Sequence, residues 1–383
     1  MPHIAFVLIV TFGGDLRFDK LEPLGGSDRS YVARCRILDP PKGVPASVVI
    51  KAVKGDWDPL LMRADTPTSS HPRGFANDWF GAQFLTEVRP GLRVSPKFVG
   101  GLRSEGFIVL EDLGEGDSLA EVLQGNDPAR ADRALMAYAS TLGRMHAATI
   151  GHEGQYNRLR DDWVPGLSQE LPTGDASYTG IREACRTLGV PLSPEAEAGL
   201  DRVALSMKEP GPFLAYTHGD PCPDNNRLLG DEVRLIDFEC GAYRHALCDG
   251  VYGRLPFPTC WCVNRLPAQV PPHMEAAYRA ELVKGCPEAG DDDLFRLAVV
   301  EATAHWTCET TGSHLPGALE GDHEWGISTI RQRVLLRLDN LAVLTEELGL
   351  LEPLGDVALA MAKRLRALWP ADLVEMPLYP AFR

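Results

Sequence analysis

The chain has 383 residues, 44% of them hydrophobic and 24% charged, a balance that supplies a sizeable core, excludes a disordered chain and, at this length, points to two domains. A formal net charge of −15 with no basic block excludes non-specific binding to nucleic acid or to an anionic membrane surface; it leaves solubility, or attraction of a cationic substrate, as its use. Nine cysteines, odd in number and without scaffold spacing, are expected to be reduced thiols, and Cys222, Cys240, Cys248, Cys260 and Cys262 lack the spacing of a zinc site.

Ile4 to Val10 is the longest apolar run, far short of the roughly 20 residues that span a bilayer. No Lys or Arg precedes it and no small-residue cleavage site follows, so it reads as a buried strand, and the protein as cytoplasmic. Tyr31 to Ile37, Ala46 to Val53 and Phe107 to Leu110 are further β-favouring runs between Gly and Pro clusters. Asn77 to Val88 reads as a helix, with Phe80, Phe84, Leu85 and Val88 near helical spacing and Pro90-Gly91 as its stop.

From about residue 118 the chain turns helical, and Leu135, Tyr138, Ala139, Leu142, Met145 and Thr149 follow the i, i+3, i+4, i+7 rule. Pro165 to Pro194 and Leu255 to Pro272 are Pro-rich and read as loops or a lid. Between them lie strands at Phe213 to Thr217, Arg227 to Leu229 and Glu232 to Ile236, the last two joined by the hairpin signal Gly230-Asp231. Helices at Asp293 to Trp306, Ile327 to Leu348 closed by Gly349, and Asp356 to Trp369 with Asp356 as N-cap complete the chain.

The densest polar cluster is Tyr216-Thr217-His218-Gly219-Asp220-Pro221-Cys222-Pro223-Asp224-Asn225-Asn226, followed after the hairpin by Leu235-Ile236-Asp237-Phe238-Glu239. A carboxylate on a loop accepts the proton of an attacking hydroxyl, while an amide oxygen five residues on and a second carboxylate beyond a hairpin are hard ligands for magnesium on nucleotide phosphates. Asp220, Asn225 and Asp237 fill these places, and Asp224 and Asn226 beside Asn225 also offer polar atoms. Taken singly, each residue is equally at home in an ordinary Asp- and Asn-rich turn.

This arrangement resembles the aminoglycoside phosphotransferase and choline kinase superfamily, in which His-Gly-Asp, four residues and Asn precede a hairpin and an Asp-Phe-Glu-like metal segment. His218, Gly219, Asp220, Asn225, Asp237 and Phe238 match that pattern residue for residue. The resemblance implies an α+β, two-lobed protein-kinase-like fold: an N-lobe at 1–113 made of a nucleotide-covering antiparallel sheet plus one helix, and a mainly helical, acceptor-binding C-lobe at 114–383. It implies Asp220 as catalytic base, Asn225 and Asp237 as magnesium ligands, and His218 as a brace of the loop.

By the same resemblance Gly25, Gly26 and Ser27 form the nucleotide-covering turn, Lys51 reaches the α and β phosphates, and Glu111 and Leu113 belong to the connection that meets the adenine edge. Asp78 is the expected acidic partner of Lys51, with Glu87 as the alternative. His146 is expected to be a packed core histidine and Asp249 a brace behind the metal segment. The implied activity is transfer of the γ-phosphate of ATP or GTP, with Mg2+, to an alcohol group of a small acceptor, cationic or neutral, such as an aminoglycoside-like antibiotic, amino sugar or amino alcohol. The alternative is a catalytically silent nucleotide-binding sensor or scaffold. Trp163, Tyr243, Trp261, Glu301, Trp306, Glu309 and Trp325 are the aromatic and acidic residues available to shape an acceptor pocket.

Overall fold

The structure, a computed structural model, describes residues 2–13, 16–55, 57, 71–163, 175–369 and 375–383. In chain order the elements are α1 (Pro2–Phe12), β1 (Arg17–Phe18), β2 (Glu22–Gly26), β3 (Ser30–Leu38), β4 (Ser47–Val53), α2 (His71–Glu87), β5 (Phe98–Leu102), β6 (Phe107–Glu111), α3 (Leu119–Leu123), α4 (Pro128–Thr149), α5 (Glu153–Asp161), α6 (Asp175–Leu188) and α7 (Pro194–Lys208). There follow β7 (Leu214–Thr217), β8 (Asn226–Leu229), β9 (Glu232–Leu235), β10 (Ala242–His245), α8 (Leu247–Gly250), α9 (Val270–Leu282), α10 (Asp292–Glu320), β11 (Glu324–Trp325), β12 (Ser328–Thr329), α11 (Ile330–Leu348) and α12 (Glu352–Leu368). Two compact units result: residues 1–116, 152–169 and 234–242 form the first, and 117–151, 170–233 and 243–383 the second. The first unit therefore does not end at residue 113, because α5 and the segment after β9 return to it.

The first unit is built on a six-stranded antiparallel sheet in the order β1-β3-β4-β6-β5, with β2 also pairing with β3. Val48 and Ile50 on one face of β4 join Ile4, Val7 and Leu8 of α1 in its core. The expected strand at Ile4 to Val10 is thus a helix. Its buried residues sit at i, i+3 and i+4 while Phe6 and Val10 are exposed, and a short run apolar on all sides does not by itself separate helix from strand.

The opposite face of the sheet carries α2. On β5, Gly100 faces Val7 of α1 and the next residue, Gly101, faces Trp79 of α2, so that a Cβ on Gly101 would stand 2.5 Å from the indole. That close approach requires glycine, and the same Gly-Gly pair hides β5 from a strand reading of the sequence. α2 begins before the expected Asn77 because Phe75 and Ala76 already pack inward. Trp163 sits against Trp79 and Phe80 at ring distances of 5.0 and 5.1 Å.

The second unit is mainly helical, with α6, α7, α10, α11 and α12 sharing one core. Asp127 caps α4 by accepting the Arg130 N–H, and Thr329 and Gln332 form a capping box on α11, which Gly349 ends in the left-handed conformation as expected. Two expectations are corrected. Within the expected loop Pro165 to Pro194, residues 165–174 lie outside the described part, and Asp175 to Leu188 is α6, which buries Tyr178, Ile181, Cys185 and Leu188 at helical spacing. α12 starts at Glu352 with Leu351 in the cap position and Pro353 in its first turn, so Asp356 lies inside the helix.

His245 on β10 is buried, accepts the Leu247 N–H on Nδ1 at 3.2 Å and stacks on Phe213. Burial, with the nearby His305 and His146, holds its imidazole down at about 3. An unfolded histidine titrates near 6.5, so the stability this neutral ring contributes is present above that pH and is lost as pH falls. Between pH 7 and pH 5 the loss from this one group should reach about 2 kcal/mol. Melting curves at the two pH values should show the drop, and His245→Gln, which cannot charge, should flatten it.

Candidate active site

Strand alternation points Lys51 of β4 away from Val48 and Ile50. Its ammonium pairs with Asp78 Oδ2 at 2.7 Å and with Asp237 Oδ1 at 2.6 Å. Burial alone would push the lysine's pKa down; the two carboxylates outweigh it and raise the value above the usual one. The other oxygen of Asp78, a buried residue of α2, accepts the Phe238 N–H at 2.8 Å. One carboxylate therefore holds both the lysine and the backbone that follows Asp237. Glu87, by contrast, lies at the exposed end of α2 and accepts from Gln83 Nε2 at 2.9 Å.

Asp237 adopts φ +68°, a left-handed conformation that costs a non-glycine residue roughly 1–2 kcal/mol and here turns the chain directly after β9. The glycine turn belongs to the same unit. Gly25 and Gly26 have φ +121° and +126°, and a Cβ on Gly26 would stand 2.2 Å from the Ser30 carbonyl oxygen, so only glycine fits. Ser27 donates its N–H to the Ser30 carbonyl at 3.0 Å, and its own carbonyl accepts from Lys54 Nζ at 2.6 Å.

Just past this turn, Arg29 reaches Glu239 Oε1 at 2.7 Å. Burial and the charge of Asp237 raise the Glu239 pKa against the opposing pull of Arg29 and Lys51. No sequence motif links this pair, whose members lie 210 positions apart. At the end of β6, the Glu111 N–H donates to the Lys97 carbonyl and its side chain accepts the Lys97 N–H. Asp112 accepts from Arg34 at 2.6 Å, Ser47 at 2.6 Å and the Gly114 N–H at 2.9 Å; burial would raise its pKa, and these donors lower it. Leu113 follows, half-buried, and no hydrogen bond among the described residues uses its backbone.

The second unit holds the His-Gly-Asp loop. Fully buried Asp249 accepts the His218 N–H at 2.6 Å and the Gly219 N–H at 3.2 Å. Behind it, His146 lies 3.4 Å from Asp249 and 2.8 Å from the Tyr278 hydroxyl, as a packed histidine. Tyr138 donates to the Pro221 carbonyl at 2.6 Å.

Asn226 is buried, donates to the Cys222 and Pro223 carbonyls and accepts the Leu119 N–H. It is thereby spent on bracing the loop. Asn225 donates Nδ2 to the Asp220 carbonyl at 2.9 Å and to Asp220 Oδ2 at 3.3 Å, which turns its amide oxygen the other way. Asp224 accepts from Trp261 Nε1 at 2.7 Å.

Two features of this loop were not foreseen. Cys222 and Cys260 form a disulfide, with Cα atoms 5.5 Å apart, which corrects the expectation of nine free thiols; the loop after α8 carries Cys260 to the His-Gly-Asp loop. Its neighbour Thr259 donates its hydroxyl to Asp220 Oδ1. No spacing rule announces a partner 39 positions away.

The residues suggested for an acceptor pocket are largely committed elsewhere. Trp306 and Tyr243 are buried and donate to the carbonyls of Cys248 and Thr149, Glu301 pairs with Arg202, and Trp325 lies under the Arg333 guanidinium. A pocket of 1070 Å³ in the second unit is lined by Arg254, Leu266, Asp339, Asn340 and Trp369 among others, and by no residue of the His-Gly-Asp loop.

The family model described as "Phosphotransferase enzyme family" matches residues 83–282, more than half of the chain. The chain belongs to the phosphotransferase enzyme family. Similar solved structures include a choline kinase from Cryptosporidium parvum Iowa II, at 13% identity and TM-score 0.50 over 89% of this chain and 93% of its own. A choline/ethanolamine kinase family protein from Mesorhizobium loti follows, at 15% identity and TM-score 0.44 over 89% and 93%. A macrolide 2′-phosphotransferase from Brachybacterium faecium has 14% identity and TM-score 0.44 over 83% and 94%. The superfamily membership and the kinase-like α+β fold read from the motif are thus borne out.

Because Asp78 serves Lys51 and Phe238 together, Asp78→Ala leaves the buried ammonium with Asp237 as its one carboxylate partner and strands a buried N–H, and should lower stability by about 3 kcal/mol. Glu87→Ala should stay within about 0.5 kcal/mol of wild type. Denaturant titration of both variants checks the contrast.

Proposed function

We propose that the chain is a small-molecule kinase that moves the γ-phosphate of ATP or GTP onto a hydroxyl of a small acceptor. The observation that carries this reading is Lys51 held between Asp78 and Asp237. An ammonium fixed by a buried carboxylate, next to a second carboxylate whose side chain is 38% exposed, is suited to receive phosphate oxygens. The glycine turn supports it, since Gly25 and Gly26 leave backbone groups uncovered by side chains.

The donor chemistry also fits magnesium: Asp237 offers a carboxylate and Asn225 a neutral amide oxygen, hard ligands of the type this ion takes. Mg2+ would neutralise charge on the nucleotide phosphates. Lys51 orients the α and β phosphates, and Asp78 keeps it aimed. Asp220 accepts the proton of the acceptor hydroxyl as the oxygen attacks, and Asn225 Nδ2 holds that carboxylate in place. Asp249 fixes the loop through two backbone N–H groups, and His218 acts with it as part of the brace. The acceptor is a hydroxylated small molecule, for which a cationic group suits the net charge of −15.

A thermal-shift titration with ATP and with GTP, each with and without Mg2+, tests the nucleotide half of the reading. At about 100 times its dissociation constant a nucleotide should stabilise by roughly 2.7 kcal/mol, and Asp237→Ala should abolish the magnesium-dependent part. Asp220→Asn should keep the shift yet lower acceptor-stimulated ADP release by at least about a hundredfold. Absence of any shift with either nucleotide would sink the proposal.

A further inference from the structure

The base loop carries a covalent feature that phosphoryl transfer does not require. The Cys222–Cys260 disulfide joins the residue two places after Asp220 to the residue directly after Thr259. Closed through the Thr259–Asp220 hydrogen bond, these residues form a small ring with the base in it. Tyr252 stands 3.0 Å from Thr259 Oγ1; burial and the charges of Asp220 and Asp249 keep its phenol protonated. It can therefore donate to Thr259, whose single proton is then aimed at Asp220.

The far side of the Thr259 loop is fixed independently. The guanidinium of buried Arg337 donates to the Pro258 carbonyl at 2.6 Å, and that of buried Arg333 to the Trp261 carbonyl at 2.9 Å, both from α11. The disulfide thus links the base loop to a strut already anchored in the helical core.

Sulfur geometry adds a second consequence. Cys222 Sγ lies 3.0 Å from Asp220 Oδ1, the oxygen that Thr259 addresses. A disulfide sulfur has no hydrogen to donate, so Thr259 meets no competition from it. As a thiol the same sulfur would point an S–H at that oxygen.

We propose that Thr259 is a positioning residue for Asp220, kept in place by the Cys222–Cys260 bond, so that phosphotransferase turnover follows the oxidation state of this pair. The proposal rests on the reading of Asp220 as the base. A small dithiol reductant opens the bond in two exchanges. Its thiolate attacks one sulfur, the other cysteine leaves as a thiolate and takes a proton, and the second reductant thiol closes a disulfide within the reductant. Two cysteine thiols form, and the reductant gives up two electrons. Both sulfurs are buried, so the exchange should be slow and selective for small reductants.

Alkylation of denatured, air-oxidised protein should label seven cysteines and, after reduction, nine, in line with one bond and seven free thiols. Acceptor-stimulated ADP release, measured on the full chain before and after dithiol treatment, should show kcat falling about tenfold on reduction. The nucleotide KM should be unchanged, and reoxidation should restore the rate. Thr259→Val should lower kcat of the oxidised protein to the same degree and make it indifferent to reduction, while Thr259→Ser restores it.

Nine labels without reductant, equal kcat in both redox states, or a faster Thr259→Val would each overturn the proposal; the last would mean that the hydroxyl blocks the base. Asp220→Asn separates the two readings. If it abolishes turnover while reduction and Thr259→Val change nothing, only the positioning role fails. If Asp220→Asn itself turns over at the wild-type rate, the base assignment fails with it.

Discussion

A lysine ammonium withdrawn from water must be met by opposite charge, and in the first unit that requirement organises everything near the sheet. Lys51 is 12% exposed and touches two carboxylates from distant parts of the chain. One of them, Asp78, comes from a helix whose neighbouring Trp79 approaches β5 closely at a glycine, Gly101. The other, Asp237, comes from residues that follow about 120 positions of mostly helical sequence and rejoin the first unit where the Phe238 N–H bonds Asp78 of α2. The interleaving of the two units in sequence follows from this, since the carboxylate that completes the lysine's surroundings is encoded late in the chain.

A parallel logic holds the His-Gly-Asp loop of the second unit. Its backbone would be a poor scaffold alone, being short and rich in Pro and Asn. Asp249 converts two of its N–H groups into charge-assisted hydrogen bonds, and Asn226 and Tyr138 occupy its carbonyls. The half-buried side chains of Asp220, Asp224 and Asn225 are the polar groups that the loop displays.

Much of this was legible in the sequence because the chemistry is local. His218, Gly219, Asp220 and Asn225 lie within eight consecutive residues, and Gly230-Asp231 fixes the hairpin to Asp237 by turn geometry alone. The periodicity of α4 and the Gly349 stop of α11 were equally plain. The failures have physical reasons. An apolar run such as Ile4 to Val10 carries no polar face to mark its period, the glycines of β5 suppress a strand signal, and prolines around α6 mask an amphipathic stretch. Thr259, the disulfide, and the Arg29–Glu239 pair depend on tertiary proximity between segments far apart in the chain. Asp78, the expected partner of Lys51, does pair with it, and the orientation of the helix leaves the alternative, Glu87, to Gln83.

The backbone bonds to Asp78 and Asp249 bear on which amides exchange with solvent. A loop of Gly, Pro, Asp and Asn would ordinarily lose its protons to deuterium early, as surface turns do. The amides of His218 and Phe238 instead end on carboxylates that are themselves enclosed, Asp249 by α4 and α9 side chains and Asp78 within α2. Their exchange must wait for those helices to release the acid. Protection at these two positions therefore measures the opening of each unit's interior, and the most polar segments of the chain become reporters of its slowest breathing.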